Sequence, residues 1–260
     1  MRWAWVALLT SLALVFSNGC DEQPLTPSGE LRPTAPETSP PHLASKLGTV
    51  DRDITYGNVD GIALKMDIYY PRISLETTPA LVYVHGGGWT SGDKGSGDVM
   101  LDTPELLSRG YLVASVNYRL APQYKFPAQI EDVKCAVRFL RANASAYGID
   151  ASRIGVWGGS AGGHLAALLG VTDSNAGFDG SGGHQQESSR VQAVVDLYGP
   201  TEFLTSASGS SSKLSIVFGT SDLLGQLALS ETLPLLGTCR FRNLDFRQFA
   251  RLVDGMLPEA

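Results

Sequence analysis

At 260 residues, 43% of them hydrophobic, the chain can bury one substantial core, and a single main domain is expected. A net charge of −6 without any run of clustered Lys and Arg excludes a nucleic-acid binder, because neutralising phosphates needs a basic patch. Small-molecule chemistry suits this balance better.

The first 20 residues, MRWAWVALLTSLALVFSNGC, place Arg2 before an apolar run from Trp3 to Phe16 that is too short to span a bilayer comfortably. This reads as an export signal. Its end departs from a small-x-small cleavage site. Gly19-Cys20 resembles a bacterial lipoprotein box, in which the cysteine is lipidated and becomes the mature N-terminus, although Ser17 and Asn18 stand where that box has an aliphatic and a small residue. Export from a bacterial cell with a membrane anchor at Cys20 is therefore expected; ordinary secretion and a retained membrane helix are the alternatives. Residues 21–45 are dense in Pro, Thr, Ser and Glu and cannot bury enough apolar area to offset their ordering entropy, so they are expected to form an extended tether in which His42 is solvated. The main domain is then 46–260.

GIALKMDIYYP alternates apolar and polar residues and predicts a strand ending at Pro71. Ala80 to Val84 is an unbroken apolar run, as expected of a strand covered on both faces, and it stops at HGGGW. A helix is expected over Asp98 to Arg109, closed by Gly110, and a second buried strand over Tyr111 to Tyr118. From Pro127 the apolar residues Ile130, Val133, Val137 and Leu140 recur at helical spacing, with Glu131, Asp132, Lys134, Arg138 and Arg141 expected to face outward and Gly148 to end the helix. Cys135 falls on this helix; it could pair with Cys239 or stand as a buried thiol. A strand over Ile154 to Trp157, a helix to about Leu169 and a strand over Val191 to Tyr198 follow. This alternation predicts an α/β fold with a doubly wound, mostly parallel sheet, whose ligands lodge beyond the carboxyl ends of the strands.

Both glycine clusters fall at that edge. Gly158, Ser160 and Gly162 form Gly-x-Ser-x-Gly, flanked by an entering strand and a leaving helix, as a nucleophile elbow requires. Ser160 as a plain helix N-cap is the simpler alternative. A phosphate loop would need Lys then Ser or Thr where His164 and Leu165 stand, and a dinucleotide turn would need glycine in place of Ser160. The upstream HGGGW, directly after a buried strand, lies where an oxyanion loop belongs, with Gly87, Gly88 and Ala161 as the expected amide donors.

With HGGGW, NYRLAPQYKFPAQIEDV, DASRIGVWGGSAGGHLAALL and VVDLYGPTEF, the chain resembles the α/β-hydrolase superfamily, and within it the hormone-sensitive-lipase-like and feruloyl-esterase-like carboxylesterases. The resemblance covers about residues 61–203. It implies an α/β-hydrolase fold and a small-molecule ester substrate of short acyl or acetyl type. Ser160 would be the nucleophile that forms an acyl-enzyme, and no cofactor or metal is implied. It also implies that His85 steadies its loop and that His164 packs near the elbow, neither being the general base. The triad order of the superfamily is Ser, acid, His. LSIVFGTSD predicts a strand and a turn that would carry the acid, Asp222, although this is early for the family. No histidine follows His184, so the C-terminal strands read as atypical or missing. A chain end truncated or read out of frame, the preferred explanation, would account for this, as would a histidine supplied by a partner or loss of catalysis. In the last case the same fold would serve as a binding lipoprotein with impaired catalysis.

Overall fold

The computed structural model describes residues 44–200, except 74, 76 and 96–98, together with residues 216–217. The expected export signal, Cys20, His42, Asp222 and Cys239 lie outside the described residues. In chain order the elements are β1 (Val50–Val59), β2 (Ile62–Tyr69), β3 (Thr78–Val84), α1 (Val99–Ser108), β4 (Leu112–Val116), α2 (Ala128–Ala142), α3 (Ala144–Tyr147), β5 (Ile149–Gly159), α4 (Ala161–Val171) and β6 (Ala193–Leu197). Among the described residues the strands make one sheet in the order β1-β2-β4-β3-β5-β6. β1 and β2 run antiparallel to their neighbours, while β4, β3, β5 and β6 are parallel. This is the mostly parallel, doubly wound sheet expected from the sequence.

The apolar runs lack alternation because both faces of the sheet are covered. Val82, Val84, Ala114 and Val156 face one core with Ile130 of α2 and Leu165 of α4. The alternate residues Leu81, Tyr83, Val113 and Trp157 face a second core with Leu106 and Leu107 of α1. Tyr83 and Trp157 are register partners on β3 and β5, with ring centroids 5.0 Å apart.

Three expectations need correction, and one element adds to them. β1 was not foreseen: it is an edge strand carrying Asp51, Arg52 and Asp53, and two register shifts interrupt its pairing, so its sequence shows no clean alternation. The helix from Pro127 stops at Ala142, and Gly148, at φ 66°, caps the separate short α3 instead. The polar face of α2 does not face solvent: Asp132, Lys134 and Arg138 are buried. Asp132 pairs with Arg119 at 2.8 Å, whereas a loop over residues 172–190 lies across the cations, and its carbonyls accept from all three: Thr172 and Asp173 from Lys134, Asp179 and Gly183 from Arg138, Ser188 and Arg190 from Arg141. Finally, Ile216 and Val217 are helical and not part of a strand; Val217 is buried in the core, and its carbonyl accepts the Phe126 N–H at 2.9 Å. Cys135 is a free, buried thiol, with Sγ 3.7 Å from the Tyr56 carbonyl oxygen.

The chain leaves β3 for β4 on one side and later returns through β5 on the other. The crevice between the carboxyl ends of β3 and β5 is therefore the switch point at which such sheets hold ligands.

Candidate active site

β5 ends at Gly159 and α4 starts at Ala161, so Ser160 alone reverses the chain. It does so at φ 54° and ψ −119°, a conformation that costs a non-glycine residue of order 1–3 kcal/mol and persists only where the surroundings impose it. They do so here. The Ser160 N–H donates to the Leu197 carbonyl of β6 at 2.9 Å, and the Ser160 carbonyl accepts the His164 N–H at 3.0 Å. The serine is exposed, and its side chain makes no capping hydrogen bond to α4. The plain N-cap alternative therefore fails, and the hydroxyl is presented at the rim of the sheet.

The glycines around Ser160 are closed to side chains. A methyl on Gly162 would stand 1.9 Å from the Val84 carbonyl oxygen, one on Gly158 2.6 Å from the same oxygen, and one on Gly163 2.3 Å from the Asp196 carboxylate. α4 can start this close to the ends of β3 and β5 only because these positions are bare.

The HGGGW loop leaves β3 against this elbow. A methyl built on Gly86 would lie 3.6 Å from Ser160 Cβ, so the loop backbone runs beside the serine. Gly87 and Gly88 take φ values of 113° and 61°, which glycine adopts freely. The Gly87 carbonyl is turned inward, accepting the Ser91 N–H at 3.2 Å and the Ser91 hydroxyl at 3.0 Å. Ala161 is buried as the first residue of α4. Ser160, Ala161 and the glycine loop are thus brought together at the switch point. Peptide groups at a helix start and in a glycine turn are of the kind that stabilises negative charge on oxygen.

His85 has the loop-steadying contacts its place implied. Its Nδ1 lies 2.7 Å from the Gly86 carbonyl oxygen, its ring stacks on Tyr118 with centroids 4.3 Å apart, and the Tyr118 hydroxyl donates to the His85 carbonyl at 3.0 Å. Burial lowers its pKa. His164 is buried one turn past the serine, edge-on to Trp89 at 5.3 Å, and burial pushes its pKa down to about 4. An imidazole that resists protonation this strongly is a poor acceptor for the proton of a serine. His184 packs edge-on against Phe139 of α2 at 5.5 Å.

Two site residues were not foreseen. Tyr118 supports His85 as described. The buried Asp196 accepts the Gly199 N–H at 2.7 Å and fills the space beneath Gly163. The signal for Asp196 lay in VVDLYG, where a lone carboxylate interrupts an apolar strand.

Over residues 66–233 the chain matches the BD-FAE family. It belongs to that family. The BD-FAE assignment bears out the α/β-hydrolase resemblance carried by the glycine and serine motifs. Among curated proteins, this BD-FAE chain is 38% identical over 155 residues to the "Probable carboxylic ester hydrolase LipM" of Mycobacterium tuberculosis, covering 59% of this chain and 35% of that protein. It therefore spans about a third of that relative's length. Among solved structures, "Truncated form of carbohydrate esterase from gut microbiota" matches with a TM-score of 0.63 and 28% identity, covering 74% of this chain and 73% of that one. "Thermogutta terrifontis esterase 2 phosphorylated by paraoxon" matches with a TM-score of 0.51 and 29% identity, covering 56% of each chain. The fold is that of the α/β-hydrolase esterases.

Proposed function

We propose that this chain is a carboxylic-ester hydrolase in which Ser160 attacks the ester carbonyl to form an acyl-enzyme that water then hydrolyses. The observation that carries the reading is the Ser160 conformation, φ 54° with no capping bond, beside the glycine loop at the switch point of the sheet. The amides of Gly87, Gly88 and Ala161 would hold the oxyanion of the tetrahedral intermediate, each such donor being worth roughly 2.7–4 kcal/mol of barrier. Asp222 remains the proposed acid, and short acyl or acetyl esters the proposed substrates. The proposed setting is the exterior of a bacterial cell, with lipid at Cys20. The names of the relatives, an ester hydrolase and a carbohydrate esterase, support the reaction class.

A second reading, a ligand-binding protein with impaired catalysis, is favoured by the placement of the described histidines: burial pushes the His164 pKa down to about 4, His85 stacks on Tyr118, and His184 lies against Phe139 of α2. Hydrolysis of p-nitrophenyl acetate by the full chain and by Ser160→Ala separates the two. The first reading expects the substitution to lower turnover by about 10³-fold or more. It also expects paraoxon, the reagent that phosphorylates the similar esterase, to modify Ser160 here, and acetate esters to outpace octanoate esters in kcat/KM. Equal rates in the two proteins, with no adduct on Ser160, would leave only the binding reading.

A further inference from the structure

The glycine loop is held at its far end by a charge cluster that takes no part in the chemistry. Lys94, five residues past Trp89, is largely buried, and its ammonium group lies 3.0 Å from Asp53 Oδ1 and 3.2 Å from Asp67 Oδ1. Its backbone is gripped as well: the Lys94 N–H donates to Asn117 Oδ1 at 2.5 Å, and its carbonyl accepts the Ser115 hydroxyl at 2.5 Å. Asp67 and Ser115 are register partners on β2 and β4, so one cross-strand pair supplies one contact to the ammonium group and one to the backbone. Asp67 is fully buried in the middle of β2 and also accepts the Asp53 N–H at 2.9 Å and Arg52 Nη1 at 3.0 Å. The register shift of β1 between Asp51 and Ile54 turns Asp53 to φ 56°, and from there its carboxylate reaches Lys94.

A buried ion pair adds little net stability, because desolvation offsets the Coulomb gain, yet it tolerates few alternative geometries. A buried carboxylate that joins Lys94 to Arg52 and to the Asp53 amide therefore points to position and not to stability. We propose that Lys94 is a positioning residue: it ties the end of the HGGGW loop to Asp67 and so fixes the Gly87 and Gly88 amides relative to the Ser160 hydroxyl. The inference rests on the esterase reading for its catalytic consequence but not for its structural one. Burial by itself would lower the Lys94 pKa; the carboxylates of Asp53 and Asp67 outweigh it and raise it, keeping the lysine charged.

The test uses the full chain with Lys94→Met, Lys94→Arg and Asp53→Asn. Hydrogen exchange is followed at the Thr90 and Ser91 amides, which donate to the Gly87 carbonyl, and at the Ala121 amide, which donates to the Trp89 carbonyl. Lys94→Met is expected to speed exchange at these three amides at least tenfold while α2 keeps its protection, and to lower kcat on p-nitrophenyl acetate at least tenfold with KM within twofold. Lys94→Arg should restore most of both. Asp53→Asn, which removes only the exposed carboxylate of the cluster, should give an intermediate effect and serves if Lys94→Met does not fold. Unchanged exchange at the three amides, or an equal rise throughout α2, overturns the proposal. Failure of the esterase reading would show separately, as wild-type protein that paraoxon does not modify, and the exchange result would still decide the role of Lys94.

Discussion

Ser160 and His164 lie one turn apart on the same helix start, and their environments push them in different directions. Ser160 is strained and exposed; His164 is relaxed, buried and held neutral. The second has a consequence for stability. In the unfolded chain an imidazole titrates near 6.5, and in the folded protein His164 titrates near 4. Between these values the unfolded chain binds a proton that the folded protein refuses, so stability is full above about pH 6.5 and falls as the pH drops towards 4. At pH 4.5 the loss from this group is expected to be about 2–3 kcal/mol. Urea unfolding at pH 7 and pH 4.5 checks it: the drop should be smaller by that amount in His164→Asn. The elbow was legible from sequence because its constraint is local, a requirement for bare Cα positions where two elements nearly touch. The role of His164 was legible only in part, since nothing in SAGGHLAA tells how deeply its imidazole is covered.

At the scale of elements, α2 shows where pattern reading fails. Its apolar stripe was found correctly, and Ile130, Val133, Val137 and Leu140 are all buried. Its polar stripe was expected to meet water; instead Asp132 meets Arg119 and the cations meet the 172–190 loop. A charged face looks the same in sequence whether water or a run of backbone carbonyls covers it. Lys134 and Arg138 share the Asp179 carboxylate at 3.4 and 3.5 Å. Burial lowers the pKa of Lys134, and Asp179 opposes that effect. Asp179→Ala leaves two buried cations with carbonyls alone and is expected to cost about 2 kcal/mol, below the 3–5 of a fully buried pair because Asp179 is partly exposed. Thermal unfolding measures the cost, and faster proteolysis within 172–190 should accompany it. At the edge of the sheet, the sequence of β1 shows no alternation because Arg52 and Asp53 serve Asp67 and Lys94, and Asp51 serves Lys46 and Tyr70, residues whose nearness the local sequence does not reveal.

For the molecule as a whole, the order β4-β3-β5 brings the two glycine motifs to one crevice although 68 residues separate them. Sequence reading put each motif at a strand end, and the family assignment agrees with the fold that follows. The chain past β6 also returns to the core: Val217 is fully buried and bonded through its carbonyl to Phe126, just ahead of α2. Val217→Ala is expected to cost about 2 kcal/mol in urea unfolding, as removal of buried methyl groups does elsewhere. A change below about 0.5 kcal/mol would show that this return contributes nothing to the fold. Asp222, five residues further on, and the rest of the chain end lie outside the described residues.

From its sequence alone this protein reveals the features that short-range sterics dictate: apolar runs for strands buried on both faces, glycines where backbones must touch, and a serine between a strand and a helix. Tertiary structure decided which charges are paired and which histidine is shielded. Lys94 meets Asp67 and Asp53, and α2 meets a loop thirty or more residues away, only after the sheet has assembled. Electrostatic energy depends on separation and burial, and neither is fixed until distant segments of the chain have closed upon one another.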